Sequence, residues 1–96
     1  MISLEQKTSY DIGLEVAGRV RRRRKELRLT QAQLAAKSGM SLGSYKRFEQ
    51  TGQIAFASLA NIGIALGCED DFDALFARRQ YASMEEVLRA QEASRR

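Results

Sequence analysis

The sequence predicts an all-α fold, and three observations carry that prediction. Apolar residues recur three and four positions apart along most of the 96-residue chain, no segment shows the period-two alternation of a strand, and glycines fall where helices should end. A composition of 44% apolar and 29% charged residues belongs to a globular chain with material for one hydrophobic core. The chain has no proline, no internal repeat and no low-complexity stretch.

The first helix is expected from about Tyr10 to Leu27. Ile12, Val16, Val20 and Leu27 form its buried stripe, with Arg19, Arg21, Arg22, Arg23 and Lys25 mostly off it. Thr30-Gln-Ala-Gln33 matches a capping box, in which the threonine takes the amide three residues on and the glutamine reaches back, so a second helix begins here and buries Leu34 and Ala35. Gly39 suits a left-handed C-cap and Ser41 offers a new N-cap, which joins the second helix to a third across a turn of Gly39 to Ser41. The third helix, Ser41 to Thr51, buries Tyr45, Phe48 and part of Glu49, leaves Gly43, Lys46, Arg47 and Gln50 outward, and ends at Gly52. A fourth, about Phe56 to Leu66, buries Leu59, Ile62 and Leu66 and stops at Gly67. A fifth starts in Glu69, Asp70 and Asp71, whose carboxylates favour the positive end of a helix dipole, and buries Phe72, Leu75 and Phe76. Ser83-Met-Glu-Glu86 is another capping-box match, opening a short sixth helix with Met84, Val87 and Leu88 on its apolar face. The expected organisation is a flexible segment at 1–9, a compact five-helix domain at 10–77 and a C-terminal tail at 78–96.

Composition also excludes functions. With one cysteine, Cys68, and no histidine, an intramolecular disulfide and a zinc finger are both ruled out, and neither metal nor other cofactor is expected. No serine sits in a Gly-x-Ser-x-Gly or Ser-x-x-Lys setting, so the chain is not expected to be an enzyme. No apolar run approaches the ~20 residues that span a bilayer, and the polar start lacks a signal-peptide core, so a cytoplasmic location without membrane contact is expected. The net charge of +4 is unevenly spread: residues 1–52 carry 11 Lys/Arg against 5 Asp/Glu, and residues 53–96 carry 5 against 7. Halves of +6 and −2 suit a polyanion-binding N-terminal half, because lysine and arginine release condensed counterions on meeting phosphates.

Helix, short glycine turn and helix behind a basic helix is the layout of a helix-turn-helix unit, whose second helix enters the major groove. The run Leu27-Arg-Leu-Thr-Gln-Ala-Gln-Leu-Ala-Ala-Lys-Ser-Gly-Met-Ser-Leu-Gly-Ser-Tyr-Lys-Arg-Phe-Glu-Gln50 resembles the Xre/Cro/phage-repressor family over roughly residues 12 to 76. The resemblance implies a sequence-specific double-stranded DNA-binding repressor. It implies a phosphate contact and bracing role for Gln31, and an ion pair between Arg24 and Glu49. Ser41 and Ser44 stand at the front of the recognition helix, where a hydroxyl meets phosphate or base edge, or, for Ser41, simply caps. The sequence departs from the best-known repressors at Leu42 and Gly43, where those carry long amide side chains. Leu42 offers only an apolar contact to a thymine methyl and Gly43 reads nothing, which shifts base reading to Lys46 and Arg47, with phosphate clamping the alternative for Arg47. Arg22, Arg23 and Lys25, together with Arg28, are the phosphate candidates of the first helix.

A lone recognition helix makes few base contacts, so a homodimer on a palindromic operator is expected, with Phe72, Phe76, Tyr81 and Val87 as its interface or that of a partner. The phrase Ser44-Tyr-Lys-Arg-Phe-Glu-Gln-Thr-Gly52 resembles HipB-type antitoxins, which implies an operon autorepressor that also holds a HipA-like kinase toxin. A stand-alone phage or restriction-controller repressor, and a protein-interaction adaptor on the same fold, remain the alternatives.

Overall fold

The computed structural model describes residues 6–79 and 84–94, and among them every regular element is helical. The order is α1 (Ser9–Glu26), α2 (Gln31–Lys37), α3 (Leu42–Thr51), α4 (Phe56–Ala65), a 3-10 helix (Glu69–Ala74) and α5 (Met84–Ser94). Helix α3 packs against α1 and α2, while α4 packs against α2 and the 3-10 helix. Ala17, Leu34, Ala35, Tyr45, Phe48, Ile62 and Leu66 form the core, with Val16, Val20, Leu29, Met40, Ile54 and Leu59 around them. Tyr45 and Phe48 meet edge to face at 6.1 Å between ring centroids.

Local chemistry fixes where the helices start. Thr30 Oγ1 accepts from the Gln33 amide at 3.0 Å and Gln33 Oε1 accepts from the Thr30 amide at 2.8 Å, completing the capping box. Ser41 Oγ accepts from the Ser44 amide at 3.1 Å and starts α3. A further box lies at the front of α1: Thr8 Oγ1 accepts from the Asp11 amide and Asp11 Oδ2 from the Thr8 amide, each at 3.1 Å. Helix α1 thus starts at Ser9, one residue before the position that apolar spacing suggests.

The ends of α1, α2 and α4 follow one pattern, whereas α3 closes on one bond, from the Gly52 amide to the Phe48 carbonyl at 2.7 Å. After α2, the Met40 amide donates to the Ala35 carbonyl at 2.9 Å and the Gly39 amide to Ala36 at 3.2 Å, around Gly39 at φ 70°. The same pair of bonds closes α4 around Gly67 and α1 around Arg28, which holds φ 58° without being glycine. The first of these closures is the tight turn between α2 and α3.

Three expectations about burial and form are corrected. The fifth helix is a six-residue 3-10 helix held by i+3 bonds such as Asp71 N to Cys68 O at 3.0 Å. Aspartate is a poor helix former that favours local turns, and four of the first five residues of this segment are acidic. Leu75 then turns extended and Phe76 takes φ 58°, so both are exposed rather than buried, Phe76 to 95%. Phe72 alone anchors the segment, meeting Phe56 edge to face at 5.8 Å and lying so close to Gly63 that a Cβ there would come within 2.4 Å of its ring. Finally, Ile12 and Leu27 are exposed, and Ala17 takes the buried centre of α1 in their place.

Helices α1 and α3 cross at a glycine contact. A Cβ on Gly52, which sits at φ 74°, would lie 2.3 Å from the Gly13 carbonyl carbon. Gly67, at φ 71°, has open space around it. Gly67→Ala is therefore expected to cost about 1–2 kcal/mol, the strain of a left-handed alanine. Gly52→Ala should lower Tm further, because backbone rather than side chain must give way. Thermal melts that rank the two variants the other way would refute this contact as a structural constraint.

Candidate nucleic-acid interface

Burial of Tyr45 and Phe48 sets the rotation of α3, and its opposite face carries Gly43, Lys46, Arg47 and Gln50, all exposed. Leu42, also exposed, flanks this face at the start of the helix. Ser41 spends its hydroxyl oxygen on the cap and donates to Ser44 Oγ at 2.9 Å, so the two serines face each other across the first turn. Arg47 Nη2 donates to Gln53 Oε1 at 2.9 Å, which leans its guanidinium toward the loop after α3.

What holds α3 against the other helices is a polar cluster centred on Glu49. Arg24 Nε on α1 donates to Glu49 Oε2 at 2.8 Å and Arg24 Nη2 to Oε1 at 3.3 Å, with the two side chains 10% and 5% exposed. Gln31 Nε2, from the first turn of α2, donates to Oε1 at 3.1 Å, and the Tyr45 hydroxyl makes a short bond to Oε2. Arg24 Nη1 also donates to the Leu29 carbonyl at 2.8 Å, tying down the chain between α1 and α2. Burial works against ionisation of Glu49, but the bonds from Arg24, Tyr45 and Gln31 outweigh it and hold the carboxyl below its ordinary value. Burial, then the bond to Glu49, pushes the Tyr45 phenol up, so it stays a donor. Gln31 thus braces α3 through its amide nitrogen, and its amide oxygen is left for other partners.

The position of Arg24 fixes the rotation of α1, about 100° per residue, and sorts its cations. Arg21 lies one turn before Arg24 and, with Gln31 and Gln50, lines an open cleft of about 520 Å³ where α1, α2 and α3 meet. Lys25, four residues after Arg21, follows on the same flank and is exposed. Arg23 points the other way: it pairs with Glu26 at 3.3 Å and lines a second cleft, about 310 Å³, with Val16, Val20, Leu59, Cys68 and Phe72. Arg22 is exposed on the side of α1 away from Arg24. Arg21 and Gln50 were absent from the candidates picked by sequence. For Arg21 the signal is its spacing from Arg24, usable only once Arg24 fixes the rotation of α1, whereas Gln50 is already outward by its spacing from Tyr45 and Phe48.

Of the residues expected at an interface with another protein chain, Phe72 is half-buried within the 3-10 helix, Phe76 is exposed and Val87 is half-buried on α5. Tyr81 and the Ser83 cap lie outside the described residues. Among the described residues no group of three or more acidic, cysteine or histidine side chains is placed to hold a metal, and no helix is long and apolar enough to cross a membrane.

A family model described as helix-turn-helix matches residues 20–71, more than half of the chain. The chain belongs to the helix-turn-helix family of the Xre/Cro type. It is accordingly a DNA-binding transcription regulator, with α2 and α3 as the helix-turn-helix pair. No curated protein and no solved structure matches it.

Removing one partner of the buried pair strands the other. Arg24→Ala is expected to cost about 3–5 kcal/mol, several times the cost of Arg23→Ala, whose exposed pair contributes little. Acid sensitivity follows from Glu49. Its folded pKa is depressed, so its stabilisation is complete above the ordinary value of 4.5 and is lost as pH falls through the lower folded value. Melts from pH 6 down to roughly pH 2 should show Tm falling steeply below the ordinary carboxylate range for wild type and more gently for Glu49→Gln. Some slope will persist from exposed Asp11, which its capping bonds to Thr8 also hold low. Parallel curves for the two proteins would refute the role given to Glu49.

Proposed function

We propose that the chain is a sequence-specific repressor that binds as a homodimer to a palindromic operator, with residues 10–77 as the DNA-binding domain and 78–96 as a tail. The observation that carries this reading is the Arg24–Glu49 clamp. It fixes α3 so that Lys46, Arg47 and Gln50 project outward beside the flank of α1 that bears Arg21 and Lys25. Cations on two helices then share the work: Arg21, Lys25 and the second N–H of the Gln31 amide, the one not given to Glu49, lie along the backbone, and the α3 side chains reach base edges. Ser41, Leu42, Gly43 and Ser44 enter the groove first, and Arg22 lies at the margin. Arg23 leans toward Glu26 and lines the second cleft, which supports leaving it out of the contact set.

Phe76, fully outside the core, and the half-buried Phe72 and Val87 are apolar residues outside the α2–α3 pair that support contact with a second copy. The resemblance of Ser44–Gly52 to HipB-type antitoxins supports an autorepressing antitoxin with a kinase toxin as its second partner. A kinase-like reading frame beside this gene supports that assignment, and its absence leaves a stand-alone repressor.

Fluorescence anisotropy against the gene's own upstream duplex, at two salt concentrations, tests the reading. Arg21→Ala and Lys25→Ala should each reduce the slope of log K on log salt by about 1 and weaken binding evenly across sequences. Lys46→Ala or Arg47→Ala should cost about 1–3 kcal/mol on the preferred sequence and relax discrimination at one base pair. Arg23→Ala should leave both unchanged. Equal affinity for one half-site and for the full palindrome would overturn the dimer, and affinity no better than for random duplex would favour a protein-interaction adaptor.

A further inference from the structure

The glycines of this chain divide by what requires them. Gly39, Gly52 and Gly67 hold left-handed conformations of φ 70°, 74° and 71°. Gly13 and Gly63 are crowded, by the Gly52 backbone at 2.9 Å and by the Phe72 ring at 2.4 Å from where a Cβ would stand. Gly18 on α1 and Gly43 on α3 answer to neither demand: φ is not positive at either, and a Cβ at either meets no heavy atom within 4 Å. Each nevertheless costs its helix stability relative to alanine.

Gly43 has a position that Gly18 lacks. It lies on the outward face of α3, with Lys46 and Arg47 three and four residues on and Gln50 seven residues on, so all four stack along one strip of the helix. Among the described residues, no protein atom comes near the missing side chain, so the space is open only to something from outside the molecule. Glycine on a binding face permits close approach of a ligand to the backbone.

We propose that Gly43 is a clearance position: its bare backbone lets α3 seat against the floor of the major groove, and so sets the depth from which Lys46, Arg47 and Gln50 reach base edges. A Cβ here would hold the strip away from the bases, lengthening all three contacts together. This inference rests on the DNA-binding reading above, and it assigns Gly43 a role without any hydrogen bond of its own.

The test compares wild type with Gly43→Ala and Gly43→Leu. Each is melted, and each is titrated with the labelled duplex that wild type enriches from a randomised library. Both variants should melt higher than wild type, since alanine and leucine are better helix formers. Both should bind the enriched duplex roughly tenfold or more weakly, comparable to one mismatched base pair, with leucine the weaker. Unchanged or tighter binding by Gly43→Ala overturns this proposal alone. A lower Tm for Gly43→Ala also overturns it, by showing that the fold itself needs the glycine. Failure of wild type to enrich any duplex overturns the DNA-binding reading, and this proposal with it.

Discussion

The Glu49 carboxylate is the point on which three helices depend. It accepts from Arg24 on α1, from Gln31 on α2 and from Tyr45 on its own helix, so a single buried charge sees all the elements that orient α3. A buried ion pair often adds little net stability over an apolar substitute, because desolvation offsets much of the attraction. Its value lies in direction. Apolar contacts among Ala17, Leu34, Tyr45 and Phe48 hold the helices together but tolerate sliding and rotation, whereas a two-pronged guanidinium–carboxylate bond is satisfied in one geometry.

The same arginine reaches beyond the pair. Its Nη1 bond to the Leu29 carbonyl holds the chain just after α1, where Arg28 occupies the left-handed region without the freedom of glycine. Two backbone bonds close that turn, and the next residues enter the Thr30 capping box directly. From Arg24 to Ser44, each backbone turn is thus fixed by hydrogen bonds to groups at most five residues away. The helix-turn-helix geometry is built mainly from short-range bonds, with the Glu49 cluster supplying the long-range restraint.

That division explains what the sequence reveals. The Thr30 box, the Ser41 cap and Gly39, Gly52 and Gly67 act locally and are legible as local patterns. So is the buried face of α3, since Tyr45 and Phe48 leave few choices of rotation. The cations of α1 are harder to place. One residue of phase error turns a helix by about 100°, and that angle separates Arg23, paired with Glu26, from Arg24 inside the cluster. An apolar stripe drawn through Ile12 and Leu27 misses Ala17, which is buried in the core but too small to dominate a pattern. The end of the domain is obscure for another reason. Acidic residues before Phe72 read equally as a helix start and as a turn, and the seat of Phe72 against Phe56 and Gly63 is a long-range contact that no local pattern shows.

The arrangement separates stability from recognition on one short helix. Tyr45, Phe48 and Glu49 carry the packing and the ion pair, and Gly43, Lys46, Arg47 and Gln50 lie exposed on the other face. A change on the outward strip therefore alters what the helix can read without disturbing how it is held. Because the clamp is formed within the chain, α3 is already oriented before it meets a ligand, and little of the binding free energy goes into ordering it. In the binding mode proposed above, base preference changes by substitution along the strip, while Arg21 and Lys25 on α1 supply a backbone affinity that does not depend on which bases are read.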